Sequence, residues 1–597
     1  MSVSQASLRS TIRATGAQAA VRAALAGVWV CALLLGGCER AVAPKQPAAP
    51  VGAAAAPRLE GIGRSDFPAT TTSAAARAFF NQGLSLAFAF DHGEAARAFA
   101  ESLRLDPACA ICAWGLSYAT GPYVNRPERD DLVASRAHAQ RALQLAGGAS
   151  ERERALIRAQ AVRVGVDPAL PPPTVSAAGP AVPVPPGVMC VTPVPRDADP
   201  ADVAYAQALA RVAFDFADDP DIGVLHAESL MMLSPWYWWT GAGEPADGTR
   251  EAIAELDRVL LRSPDHAGAL HYRIHAYEQS PTPERALDAA QRLPALAPNA
   301  GHLVHMPSHI WVRLGRYADA VAANEAAIEA DAALAAQMQA QGFAPVAPPS
   351  HHLHFLWSSA ALAGQGATAI GAADGAALAV TQGARTYGGG DDYFVALPLF
   401  ARVRFARWDE IDATPAPAGS TVYPQAVWRW ARGMAQARRG DAAAAERELA
   451  ALSALINDAS LDDRRFKGID ELRALLAIGA ASLAGEVHAA RRQWPQAIAA
   501  LTRAMQMEEA LEGEEPPPWA MSTHVELASV QLLAGRTRDA EQSARADLAR
   551  HPANGWALYV LAESLKRQGK PVQAQRARAQ FEAAWAQADL PRPDVRY

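Results

Sequence analysis

Large apolar residues and small residues follow one another along this chain in a frame that returns every 34 positions. At the C-terminal end Gly535 and Gly569 stand 34 apart, as do Ala540 and Ala574, and Pro552 closes the first of two units, 521–554 and 555–588. A repeat of this length is one supersecondary unit that cannot bury its apolar face alone and must stack on its neighbours. The pattern predicts two helices per unit. Gly permits the tight turn between them and Pro stops the second. Small residues let the pair approach, and large residues of the first helix fill the gap between units. The frame returns at 76–109 (Gly83, Ala95, Phe99), 267–300 (Leu270, Tyr277, Ala286, Pro298) and 301–334 (Val304, Trp311, Gly315, Ala320). It recurs at 426–459 (Gly440, Ala445) and 478–511 (Trp494, Ala497). The abundance of Ala agrees with helix.

A glycine turn, a small residue five positions on and a terminal Pro resemble the tetratricopeptide repeat (TPR). The resemblance implies an all-α fold, a TPR-like α-solenoid in which antiparallel helix pairs form a right-handed superhelix with loop insertions. The expected organisation is N-terminal TPR-like helices over 71–167, a Pro-rich insertion at 168–200, a His-rich TPR-like region at 201–411, a linker at 412–420 and C-terminal repeats over 421–590. The insertion holds 11 Pro in 33 residues, which excludes regular helix there. Pro235 to Trp239, an aromatic run, interrupts a further unit and either rims a pocket or caps the solenoid interior.

The N-terminus speaks to compartment. Arg9, Arg13 and Arg22 precede an uncharged run from Ala23 to Gly37, the pattern of an export signal over 1–37. Leu35-Gly36-Gly37-Cys38 resembles a bacterial lipobox, which implies that Cys38 is lipidated and that the chain is held by a lipid anchor in the cell envelope, at the outer membrane facing the periplasm. Residues 38–70, rich in Ala, Pro and Gly, read as a flexible tether. The formal charge of −7 gives no electrostatic reason to bind nucleic acid. Five Cys exclude a disulfide-dense scaffold. Cys109 and Cys112 are a candidate disulfide.

Ten of the fifteen His lie between His226 and His354. His271 and His275 are four apart, and Glu278 continues their helical face. His305 and His309 are also four apart, with His302 three before. From His271 to His305, and from His275 to His309, the separation is the repeat length of 34. Equivalent positions of successive units stack side by side, so two imidazole pairs are expected next to each other. In TPR-type proteins that face of the first helix lines the concave groove, and the resemblance places the imidazoles inside it. Imidazoles at i and i+4 are a metal-gripping spacing, and a multi-imidazole set suits Cu, Zn, Fe or Ni better than Ca or Mg. The candidate metal residues are His271, His275, His302, His305, His309, Glu278 and His226. Glu228, His351, His352 and His354 are candidates for a further shell.

Gly301-His302-Leu303-Val304-His305-Met306-Pro307-Ser308-His309-Ile310 resembles a segment of a broad group of secreted or lipid-anchored bacterial TPR-like proteins without an established activity. Asp106-Pro107-Ala108-Cys109-Ala110-Ile111-Cys112 and His226-Ala227-Glu228-Ser229-Leu230-Met231 resemble other parts of the same group. Three readings stay open. One is a centre of one or two transition metal ions, with copper favoured over zinc or iron and oxidative chemistry favoured over zinc hydrolysis. A second is a non-enzymatic envelope scaffold whose groove binds a peptide or an anionic small molecule. The third is a set of His that satisfy hydrogen bonds in a packed interior. The metal reading expects convergent ring nitrogens and little room along the groove; the scaffold reading expects a broad open groove.

Overall fold

The computed structural model describes residues 56–129, 131–166, 198–344, 350–381, 390–417, 421–462, 464–466, 470–511, 515–519 and 521–590. All the described residues belong to one compact unit, Ala54–Tyr597. The expected signal, Cys38 and nearly all of the Pro-rich insertion lie outside the described residues.

Helix follows helix through the described chain, and each packs on the next. The fold is an all-α, TPR-like solenoid. Ala74–Phe88 pairs with His92–Leu105, Ala267–Glu278 with Leu287–Leu296, Ser350–Leu362 with Gly366–Thr381, and Gly555–Arg567 with Pro571–Ala584. Among the described residues the strands are two short ones, Arg465–Phe466 and Asp470–Glu471, paired antiparallel.

Small residues fix how closely the pairs approach. A Cβ added at Gly83 would sit 2.6 Å from the Phe99 ring, so the ring occupies the space a side chain would need. Asp and Ser start many helices by accepting backbone N–H groups that the first turn leaves unpaired. Asp91, Asp219 and Asp441 do so, and Ser150 forms a full capping box with Glu153.

Three features differ from the sequence reading. Residues 56–70 are not a free tether over their length. Leu59, Ile62 and Phe67 are buried, and the backbone N–H groups of Arg58 and Glu60 donate to Gln341 and Gln337. Apolar side chains in that stretch have a core to join. The first helix of unit 301–334 is split into Gly301–His305 and Pro307–Arg313, because Pro307 has no N–H to continue the ladder. The linker at 412–420 begins inside the helix Trp408–Ala413.

The solenoid also closes on itself. Gly315, at φ +70°, turns so tightly against the C-terminal repeats that a Cβ there would meet the Pro552 carbonyl. The Trp556 indole N–H donates to the Ala361 carbonyl 3.0 Å away, and Asp589 accepts from the Gly366 and Ala367 backbone. The C-terminal repeats therefore lie against the units that carry the histidines.

Candidate metal centre

Each imidazole is placed by a short, rigid helix. Ala267–Glu278 is capped by His266, whose Nδ1 accepts from the Ala269 N–H. One turn apart, His271 and His275 leave that helix on one face, with Glu278 a turn further on. His302, His305 and His309 come from the split helix beside it, and His351 and His352 from the start of Ser350–Leu362. The register read from the sequence does bring the two histidine pairs together. It brings them into the interior, where His271, His275, His302, His305, His309, His351 and His352 are buried. The expected concave groove is closed at this point.

Two trios result. His271, His275 and His302 form one, and His305, His309 and His351 the other; within each, the candidate ligand atoms lie within 4.8 Å of one another. Glu278, His309 and Glu515 form a third such group. His271 Nε2 is 2.9 Å from His302 Nε2, and His305 Nε2 is 3.0 Å from His309 Nε2. Two ligands on a tetrahedral ion with bonds of about 2.0–2.1 Å stand roughly 3.3 Å apart, so a small widening would admit one. The trios adjoin: the His275 and His309 rings are 5.8 Å apart, and those of His302 and His305 6.0 Å.

On His271, His275, His305, His309 and His352 the opposite ring nitrogen is tied to an acceptor; the Nδ1 of His302 is buried without one. His271 Nδ1 donates to the Phe88 carbonyl at 2.6 Å. His305 Nδ1 donates to Asn324 Oδ1 at 2.7 Å, and the Asn324 amide is itself oriented by donating to the Ala320 carbonyl. His275 Nδ1 lies 3.1 Å from Glu278, His309 Nδ1 lies 2.9 Å from both Glu278 and Glu515, and His352 Nδ1 lies 2.9 Å from Asp331. An N–H on Nδ1 leaves the lone pair on Nε2. The Nε2 atoms of His275 and His352 are buried without a hydrogen-bond partner.

Electrostatics favours neutral rings. Burial, reinforced by neighbouring imidazoles, holds His271, His302 and His305 well below the ordinary imidazole range, so they are neutral. Burial would raise the Glu278 carboxyl, but His275 and His309 beside it hold it down as a carboxylate. Aromatic rings seal the assembly. Phe90 packs on His271, His275 and His302 with centroids 4.5, 5.3 and 5.4 Å away, and Phe355 lies 4.7 Å from His305 and 4.5 Å from His309.

Other candidates stand elsewhere. His226 lies 3.6 Å from Glu255, outside all three groups. Glu228 accepts from the Tyr118 hydroxyl at 2.6 Å, in a separate buried cluster with Arg163, Asp202 and Tyr205. His354 stacks on Trp357 and reaches the Tyr393 hydroxyl, in a different apolar cluster. Glu278 lies against the Nδ1 atoms of His275 and His309 and belongs to the third group. His352, also set beside His305, is held by Asp331. Cys109 and Cys112 are joined by a disulfide away from the centre. Glu515, Asn324, Asp331, Phe90 and the Phe88 carbonyl were not legible as site residues. Glu515 carried no repeat register, and the others sit in positions typical of packing or capping.

No known protein family matches this sequence. No curated protein matches it either. Solved structures do match: the crystal structure of the APC/C hetero-tetramer Cut9–Hcn1, at 11% identity over 86% of this chain and 88% of that one, has a TM-score of 0.25. The human IFIT1 dimer with m7Gppp-AAAA, at 10% identity over 87% of this chain and 92% of that one, has a TM-score of 0.29. Likeness at that level says nothing of the site.

Proposed function

We propose that this chain is a metalloprotein whose two imidazole trios hold one or two transition metal ions. The observation that carries the reading is the shared polarity of the rings. His271, His275, His305 and His309 each commit Nδ1 to a backbone carbonyl, an amide or a carboxylate and leave Nε2 for the interior. A packed interior needs hydrogen bonds from its histidines; it does not need their remaining lone pairs turned toward one another. Oriented imidazoles with carboxylate and carbonyl partners are the arrangement that fixes metal ligands. Neutral nitrogen donors select copper, zinc or iron over calcium or magnesium.

The chemistry we favour is copper-dependent oxidation, with zinc-dependent hydrolysis as the alternative; the identity of the bound ion separates them. An open peptide-binding groove fits less well, because the imidazoles are buried and the C-terminal repeats cover them. We further propose that the chain is exported and anchored by lipid at Cys38 in a bacterial envelope. The basic and apolar N-terminal pattern supports this, as does a disulfide between Cys109 and Cys112, since such bonds persist in oxidising compartments.

The test is elemental analysis of the protein purified without chelator and without a His tag, beside a His271→Ala/His305→Ala variant shown by circular dichroism to remain helical. One or two equivalents of copper, zinc or iron in the wild type, lost in the variant, support the centre. A wild-type protein that is empty and takes up none of the three when offered them overturns it.

A further inference from the structure

A cavity of about 610 Å³ lies one side chain away from the trios; no trio residue lines it, but residues that touch both trios do. Its walls include Trp236, Trp239 and Phe355, and Glu515 is among its polar lining. Trp236 meets the His275 ring edge-on at 5.1 Å, so this wall touches the first trio. Phe355 contacts His305, His309 and His351 of the second trio, and Glu515 lies 2.9 Å from His309 Nδ1. The volume lies within the range of small-molecule sites, roughly 300–1,000 Å³. A larger hollow of about 750 Å³ between Arg64 and His266 is lined by several aspartates.

The walls say what kind of molecule fits. Both indole N–H groups are already used, Trp236 on the Val124 carbonyl and Trp239 on the Ala276 carbonyl. The half-buried Trp239 offers its ring to an occupant and Trp236 and Phe355, nearly buried, back the wall, which suits a planar apolar body. Trp236 adopts φ +66°, a left-handed conformation that a bulky residue takes only where its surroundings impose it. The aromatic wall is thus held in place by the fold, not drawn in by collapse.

The charge is uneven. Glu515 is engaged with His309, and His551 with Asp547 at 3.1 Å. Arg313 donates to the carbonyls of Glu278 and Ser280, which neutralise no charge. Arg550 is exposed on the lining, and among the described residues no carboxylate pairs with it or with Arg313. Two guanidinium charges at an aromatic cavity favour an anion.

We infer that this cavity is the binding site for a small aromatic molecule bearing a carboxylate or similar anionic group, its ring held by Trp236, Trp239 and Phe355 and its charge by Arg550 and Arg313. As the substrate site of the centre it rests on the metal reading; as a binding site it stands alone.

The experiment uses three probes of one shape: 2-naphthoate, 2-naphthol and 2-naphthylmethylammonium. Each is titrated by calorimetry into metal-free and metal-loaded protein, into Arg550→Glu and into Trp239→Leu, with metal content measured on every sample. The metal-free protein is expected to bind naphthoate at least tenfold more tightly than the ammonium probe. Arg550→Glu should abolish that preference, and Trp239→Leu should weaken all three probes. Both variants should keep the wild-type metal content, because neither residue belongs to a trio. Equal binding of the three probes, no binding of any, or a preference unchanged in Arg550→Glu overturns the inference. Selective naphthoate binding by a protein that never takes up metal leaves the pocket standing and removes the metal centre; metal uptake without selectivity does the reverse.

Discussion

Phe90 supports one wall of the imidazole assembly from an unusual backbone position. It is 2% exposed, touches three site imidazoles and Tyr272, and sits at φ +61° just before the helix His92–Leu105. Replacing it by Ala removes a buried ring and leaves a cavity that the helices on either side cannot fill, which costs about 3–5 kcal/mol. The backbone makes a second, sharper statement. At an ordinary position Gly is less stable than Ala, but at φ +61° Ala carries left-handed strain of about 1 kcal/mol or more and Gly does not. Phe90→Gly should therefore be about 1 kcal/mol more stable than Phe90→Ala, although it has one carbon less. Urea unfolding followed by circular dichroism on metal-free protein measures both, and equal slopes check that the two variants expose the same surface on unfolding. The loosened rings should also bind metal more weakly at unchanged stoichiometry. A loss under about 1 kcal/mol for Phe90→Ala would show that the ring is not a packing element. An Ala variant more stable than the Gly variant would show that the backbone there is not left-handed.

Asn324→Leu removes the acceptor that orients His305 and should lower metal affinity about 10–100-fold while the number of sites is kept, as read by competition with a chromogenic chelator. Gly301→Ala would put a Cβ 1.9 Å from Asp331 Oδ1, the residue that holds His352, so it should destabilise by about 1–3 kcal/mol in urea; an unperturbed variant would mean that Asp331 can move freely. Burial pushes the Glu526 carboxyl up to about 8, with Ser482 donating to one oxygen. Between the ordinary carboxyl range and pH 8 the folded chain holds a proton that the unfolded chain lacks, so stability falls as pH rises. The loss is about 2 kcal/mol from pH 6 to pH 8 and levels off above. Glu526→Gln should show no such fall in thermal unfolding across that window, and identical pH profiles for the two proteins would refute the assignment.

The repeat register was legible because it is local. Gly315, Gly535 and Gly569 do turn between helices at positive φ, and the 34-residue repeat does set the helix of His271 and His275 beside the helices of His302 and His309. What crosses repeats was not legible. Glu515 meets His309 across 206 residues, from a segment with no repeat frame. Closure by the C-terminal repeats depends on curvature summed over many helix pairs, so a face expected to line an open groove is buried instead. His226 and Glu228 share a helix with no register link to the later pairs, and their helix directs them to Glu255 and Tyr118. The Phe88 carbonyl could not have been found from residue types at all, since any amino acid supplies one.

The reach from His309 to Glu515 also sets an order of events during synthesis. A ribosome delivers the chain from its N-terminus, so both trios emerge before Glu515, the second of the two acids beside His309, exists. For 206 residues of translation His309 has Glu278 for a partner and not Glu515. A nascent chain that captured an ion then would hold it in a different geometry from the finished protein. The chain is thus best served by staying empty until the last repeats dock, which makes the C-terminal third a timer as well as a wall.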